Sequence, residues 1–335
     1  MLAGRASVHD DHMGNPVPVK NWFRAMVLLS VPASLLAARP VRRQQEKEVR
    51  LLFTGDIMLT RQVDVELRRT IQTPWSGFEN LFGGAAWVGG NFEGAIGPSS
   101  NCVPTRSPCF ATPERAAELL RRAGFRLVTV ENNHAGDLGS LGREHTATTF
   151  KQAGLEVVVF NNSPQFIPLG TGAVAFVALT LIPAADGRVQ HIPSAQVSDK
   201  LRFAKQRADL VVVSIHWGNE LMEWPSQSQR KQAAWLVDQG ADLIVGHHPH
   251  VIQQPQCVSG RPVFFSLGNH VFDQENPKTK EGMIADCHIR GGRLVCQSLR
   301  TRTDPGTTIP RVVRSDRMVD SALFHCRPES KQKPR

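Results

Sequence analysis

The stretch Asp242-Leu243-Ile244-Val245-Gly246-His247-His248-Pro249-His250 decides how the chain reads. An apolar run of strand length stops on glycine, and three histidines follow within four residues. Such a run reads as a short buried strand whose end delivers imidazoles to one place. Neutral imidazole is the commonest metal ligand, and His-x-His puts His248 and His250 on one side if the chain stays extended. A His-rich surface loop is the plainer reading. It loses weight because other apolar runs also end on polar, ligand-type residues.

Working outward, Val49-Arg50-Leu51-Leu52-Phe53-Thr54-Gly55-Asp56 is a buried strand ending on Gly-Asp, and Trp87 to Glu93 ends on Asn91 and Glu93. Phe125 to Val130 runs into Glu131-Asn132-Asn133-His134, and Asp209 to Ile215 runs into His216-Trp217-Gly218. Further strands are expected over 155–160, 172–181 and 261–269. Helices are expected over 61–71, 113–124, 140–153, 196–208 and 226–239, the last with Ser226 or Ser228 as N-cap and Gly240 as stop. Strands alternating with helices mean an α/β fold with much parallel pairing. In such folds ligands gather beyond the carboxyl ends of the strands, so these distant residues are expected to converge.

The bulk numbers set limits. Hydrophobic residues make up 41% and charged residues 21% of 335, so a packed core is expected rather than disorder. The net charge of +9 sits at the ends: residues 1–50 carry 8 Lys/Arg against 4 Asp/Glu, and residues 311–335 carry 7 against 3. The middle carries 24 against 23, which argues against a nucleic-acid-binding face. Residues 25–38, apolar and preceded by Lys20 and Arg24, read as the core of a secretory signal or an anchor; Pro32 argues against a helix of the folded domain. The expected division is 1–48 as basic signal or anchor and tether, 49–300 as the folded domain, and 301–335 as a loosely ordered basic tail.

The six cysteines include no C-x-x-C pair, which disfavours a cysteine zinc site. Gly291-Gly292 predicts a two-residue hairpin turn that sets Cys287 opposite Cys296. Cys102 and Cys109 can close another small loop, leaving Cys257 and Cys326. Disulfides of an oxidising compartment and buried thiols both fit.

Oxygen and imidazole donors without thiolate suit one or two divalent ions such as Mn, Zn or Fe. Two ions about 4 Å apart, bridged by a carboxylate, can drive in-line attack at phosphorus. Asn269 after Gly268 reads as a turn cap or a site residue. Trp217 reads equally as core or as a substrate platform, Glu220 as a partner of a histidine, and Asp137 as a stabiliser of the turn.

In combination, Gly55-Asp56-Ile57-Met58, Asn91-Phe92-Glu93, Asn132 to Asp137, His216 to Glu220, Gly246 to His250 and Ser266 to Asn269 resemble the capsule-synthesis CapA family. That family is tied to poly-γ-glutamate production and to the calcineurin-like metallophosphoesterases. The resemblance implies a four-layer α/β/β/α sandwich and an exported or membrane-anchored, extracytoplasmic protein. The expected partners are an anionic polymer or phosphoester substrate and membrane-bound synthase or export subunits. It also implies residue roles. Asp56 binds a first metal, Glu93 bridges, Asn133 and His216 bind a second, and His248 and His250 serve one each. His134 acts as general acid or donor to a phosphate oxygen, Asn91 lies beside the ligands, and the role of His247 stays open. Met58 stands where the superfamily has a ligand histidine, which weakens the first site. His270, where an aromatic residue is usual, is expected at the rim, with an additional site residue as the alternative. The implied activity is phosphoester hydrolysis; the alternative is a non-catalytic metal- or polymer-binding component of an envelope machine.

Overall fold

The computed structural model describes residues 48–69, 73–104, 108–161, 163–169, 172–313 and 326. The expected signal or anchor at residues 25–38 lies outside them. Among the described residues no helix is long and apolar enough to cross a membrane.

Two sheets face each other. The first runs, in spatial order, Pro310–Val312, Arg293–Thr303, Glu281–Arg290, Val49–Ile57, Trp87–Phe92, Leu127–Thr129 and Glu156–Val158, and Asn269–Val271 also pairs with Val49–Ile57. The second runs Gln256–Val258, Arg261–Phe264, Leu243–His247, Leu210–His216, Gly172–Thr180 and Gln165–Leu169. The central pairs of both sheets are parallel.

Alternation along each strand explains the layers. Leu51 and Phe53 meet Leu210, Val212, Leu243 and Val245 between the sheets. Leu52 and Val128 point the other way, onto Ala117, Leu120 and Phe150 of the helices Arg115–Ala123 and Gly139–Gln152. Val211, Val213 and Ile215 face Val197, Leu201, Ala233 and Leu236 of Ala195–Lys205 and Gln227–Asp238. Strands covered on both faces read as unbroken apolar runs. The result is the α/β/β/α order expected. Burying one such Leu or Val side chain contributes about 1.5–3 kcal/mol.

Helix ends follow local chemistry. Ser226, not Ser228, caps Gln227–Asp238: its Oγ accepts from Gln229 N at 3.1 Å, and its own N–H donates to Gln229 Oε1 at 3.0 Å. Gly240 leaves that helix at φ +116°. The hairpin has the expected register, with Gly291 and Gly292 both at positive φ and Cys287 opposite Cys296. Three disulfides form, Cys102–Cys109, Cys257–Cys326 and Cys287–Cys296.

Two expectations are corrected. The 261–269 strand is broken: Arg261–Phe264 belongs to the second sheet, and Asn269–Val271 pairs with Val49–Ile57 in the first. Gly268, at φ +66°, makes the crossing, and its carbonyl lies so close to Gly55 that a Cβ there would sit 2.0 Å from the oxygen. The fold also continues past 300. Arg293–Thr303 and Pro310–Val312 extend the first sheet, with Leu299, Thr301 and Thr303 buried on alternate positions, and Cys326 is tied to Cys257.

Candidate metal centre

The carboxyl ends of the parallel strands meet at one rim. Asp56, Asn91 and Glu93 come from the first sheet, as do Asn133 and His134 from the turn after Leu127–Thr129. His216, His247, His248 and His250 come from the second. All are buried, as is Asn269. Donor atoms of Asp56, Glu93 and His216 lie within 4.8 Å of one another, and so do those of Glu220, His248 and His250. The latter two imidazoles do not share a side because the chain is extended. Both residues are left-handed, at φ +96° and +56°, a conformation costly for residues with a Cβ and concentrated at functional sites.

Asp56 is the most heavily engaged carboxylate. It accepts from Asn91 Nδ2 at 2.9 Å and from the His248 backbone N–H at 3.2 Å, with His247 Nδ1 at 3.0 Å and His250 Nδ1 at 3.4 Å. Burial opposes its charge, yet His247 and His250 hold the carboxyl well below the usual range. Glu93 behaves oppositely. It faces His250 Nε2 at 3.6 Å and His216 Nε2 at 4.0 Å, but neither carboxylate oxygen has a hydrogen-bond partner. Burial, reinforced by Asp56 and Glu220 and only partly offset by His250, pushes its pKa well above the carboxylate range. Burial also works against a charge on His250, but Glu93 and Asp56 lift it to about 9. His216 is depressed, first by burial and then by His248.

An orphaned buried carboxylate costs several kcal/mol unless it is paired or coordinates a cation. Glu93 faces the imidazoles of His216 and His250, and the donors are oxygen and nitrogen without sulfur. The residues therefore fit a divalent ion.

Neighbouring side chains aim the donors. Asn133 Oδ1 lies 2.8 Å from His216 Nε2, and Asn269 Oδ1 lies 2.9 Å from His250 Nδ1. Asn132, given no role from sequence, donates to Asn91 Oδ1 at 3.0 Å and to Phe92 O at 2.7 Å, and accepts from His134 N at 3.1 Å. His134 Nδ1 is 2.8 Å from Asp137 Oδ2, which also accepts from Phe110 N at 2.7 Å; the Phe110 ring stacks on His134 at 3.8 Å. Asp137 thus orients a histidine, a larger role than steadying a turn. His134, Asn133, His248, His250 and Glu220 open onto a cleft of about 430 Å³ walled by Phe110 and Phe272.

Four further expectations resolve. Glu220 is exposed and offers a donor atom beside His248 and His250, rather than standing behind a histidine. Trp217 is core: it is stacked on Phe265 and donates Nε1–H to the Phe265 carbonyl at 2.9 Å. His270 is not at the rim. It is 1% exposed and packed among Phe78, Phe82 and Phe125, because Asn269–Val271 turns that side chain into the helix-side core. Met58 likewise points into that core, its sulfur accepting from Thr60 N at 3.3 Å, so it brings no ligand to the rim. Phe110 and Phe272 had no signal in sequence, since loops bring them in.

The family model described as bacterial capsule synthesis protein PGA_cap matches residues 50–274, from the first strand of the site to just past Asn269. The chain belongs to this family. Among PGA_cap relatives, the capsule biosynthesis protein CapA of Bacillus anthracis is 30% identical over 275 residues, covering 76% of this chain and 67% of that protein. The PGA biosynthesis protein CapA of Bacillus subtilis is 30% identical over 254 residues, covering 71% and 67%. A probable polyglutamine synthesis accessory protein of Mycobacterium tuberculosis is 20% identical over 292 residues, covering 78% and 76%. A crystal structure described as a novel phosphatase, from Mycoplasma pneumoniae, superposes with a TM-score of 0.54 at 13% identity, over 78% of this chain and 95% of that one. This PGA_cap chain therefore has a metallophosphatase-like fold of the calcineurin type.

Proposed function

We propose that the chain is a metal-dependent phosphoester hydrolase serving the making of an anionic capsular polymer such as poly-γ-glutamate, in line with relatives named for capsule and PGA biosynthesis. The observation that carries this reading is Glu93: a buried carboxyl with no hydrogen-bond partner, amid Asp56, His216 and His250, behind the cleft onto which His250 opens. Asp56, Glu93, Asn133, His216, His248 and His250 would hold one or two divalent ions, with Glu220 as an additional donor. Such an ion supplies Lewis acidity toward a phosphoryl oxygen.

The chain's own residues do the rest. His134, fixed by Asp137 and backed by Phe110, reaches the cleft and hands a proton to the departing oxygen. Asn91, Asn132 and Asn269 lock the ligands without adding charge. Phe110 and Phe272 narrow the approach of water.

Export to an oxidising, extracytoplasmic compartment belongs to the same proposal and is supported by the pairing of all six cysteines. Membrane-bound synthase or export subunits are the proposed partners. A second reading, a metal-bearing component that binds anionic polymer without turnover, is favoured by one observation: Met58 is turned into the core, leaving the first site short of an imidazole.

The test is hydrolysis of p-nitrophenyl and bis-p-nitrophenyl phosphate with added Mn or Zn. Turnover lost in His216→Ala and Asn133→Ala supports the hydrolase. Stoichiometric metal without turnover on either ester supports the second reading.

A further inference from the structure

Arg61 carries the sole permanent positive charge among the described residues lining the cleft. Its guanidinium is gripped from one side: Nε donates to Asp273 Oδ2 at 3.1 Å and Nη2 lies 2.9 Å from Asp273 Oδ1. Its Cζ sits 5.5 Å from the centroid of Phe110, the ring that stacks on His134. The side chain is still 43% open to solvent.

The ion pair accounts for only one edge of this arginine. Arg61 sits at φ +53°, a left-handed conformation that glycine or asparagine takes at lower cost. Buried Asp273 takes Nε and Nη2, its Oδ2 also accepting from the Gln62 backbone N–H at 3.1 Å. That pairing makes no use of the guanidinium's other edge. What the arrangement does provide is a pre-oriented fork, with one edge spent on Asp273 and Nη1 left over. Arginine is the side chain suited to a planar oxyanion in that geometry.

We infer that Arg61 binds a second anionic group of the substrate, one that does not react. The inference rests on the proposed anionic-polymer or phosphoester reading of the cleft. Phe110 touches both the guanidinium and His134, so Arg61 addresses a group set apart from the reacting centre along the same aromatic wall. A ligand with a carboxylate or phosphate several bonds from the reacting centre meets that requirement. A lone phosphate does not reach both places.

The experiment is titration calorimetry of the Mn-loaded, oxidised full chain with inorganic triphosphate and with γ-linked tetraglutamate, at low and high salt. Arg61→Ala should weaken one or both probes at least tenfold. Arg61→Lys, which keeps the charge and loses the fork, should weaken the same probe by about threefold, with unchanged circular dichroism in both variants. The probe that responds distinguishes phosphate from carboxylate. Arg61→Ala binding both probes within twofold of wild type overturns the inference, as does a wild-type chain that binds neither. Hydrolysis of p-nitrophenyl phosphate by the wild type is read separately. Its absence beside Arg61-dependent binding removes the hydrolase and leaves the anion clamp.

Discussion

His247 Nδ1 stands 3.0 Å from Asp56 Oδ1, although the two residues come from different sheets and lie 191 positions apart. The histidine whose role the sequence leaves open is therefore the one that faces the first carboxylate of the site. His247→Ala should loosen Asp56 and weaken ion retention by about 10–100-fold, as loss of a ligand's supporting partner typically does. Competition with a chelator of known affinity reads this directly, and an unchanged affinity assigns His247 to packing alone.

Glu93 gives a crossing pair of outcomes. In the metal-free protein Glu93→Met replaces an orphaned buried carboxyl by an apolar side chain of similar length, and we expect stability to rise by about 1–3 kcal/mol. With Mn or Zn present the order reverses, because the wild type gains binding free energy and the variant does not. Thermal melts with and without EDTA check both halves. A variant less stable than wild type in EDTA would falsify the view of Glu93 as a ligand waiting for a cation.

Asp137→Asn leaves size and burial in place but ends the charge-assisted hold on His134 Nδ1. We expect kcat to fall by about 10–100-fold with metal content unchanged. Equal loss in metal content and kcat would place Asp137 in the architecture of the ion site instead.

His270 makes acid stability depend on a group away from the cleft. Burial depresses its pKa from 6.5 to about 3, and neither ring nitrogen has a hydrogen-bond partner. Between those values the unfolded chain holds a proton that the folded chain lacks, so stability falls as pH falls, by about 1.4 kcal/mol per unit. His270→Phe, which suits the company of Phe78, Phe82 and Phe125, should shrink the stability difference between pH 7.5 and pH 5 by about 2 kcal/mol. Urea melts at the two pH values measure it, and identical pH dependence in variant and wild type refutes the assignment.

The Cys257–Cys326 bond spans 69 residues and Cys102–Cys109 spans 7. Loop-closure entropy ranks the first above the second, at about 4 against about 2.5 kcal/mol. Replacing each pair by serines should lower the melting temperature in that order. The reverse order points to a local role for the smaller loop.

What was legible in the sequence was what depends on neighbours along the chain. Leu210 to Ile215 reads as a doubly covered strand because every position but Ser214 is apolar. Cys287 and Cys296 pair in register because two glycines fix the turn between them. The convergence of Asp56, Glu93, Asn133, His216 and His248 also follows from strand ends in a parallel sheet. The rest is tertiary. The break at Gly268 answers a backbone contact with Gly55, some two hundred residues away. His270 looked like a rim residue until the strand carrying it turned its side chain into an aromatic pocket. Phe110 reaches the cleft from a loop, and Arg61 from the first residue of the helix Arg61–Arg69, where no periodicity marks a direction. The left-handed backbone of His248 and His250 is likewise invisible in a His-x-His spacing.

The order of strands in the first sheet has a practical consequence. The chain leaves that sheet after Glu156–Val158, builds the second, and returns first with Asn269–Val271 and then with Glu281–Arg290, which closes the far side of Val49–Ile57. A product truncated soon after Arg261–Phe264 would keep most of the ion-binding side chains but strip that side, exposing the hydrogen-bonding groups of Val49-Arg50-Leu51-Leu52-Phe53. A bare apolar edge of that kind recruits other chains. Shortened versions of the chain should therefore retain the hairpin through Val312, or they will be lost to precipitation before their chemistry can be asked about.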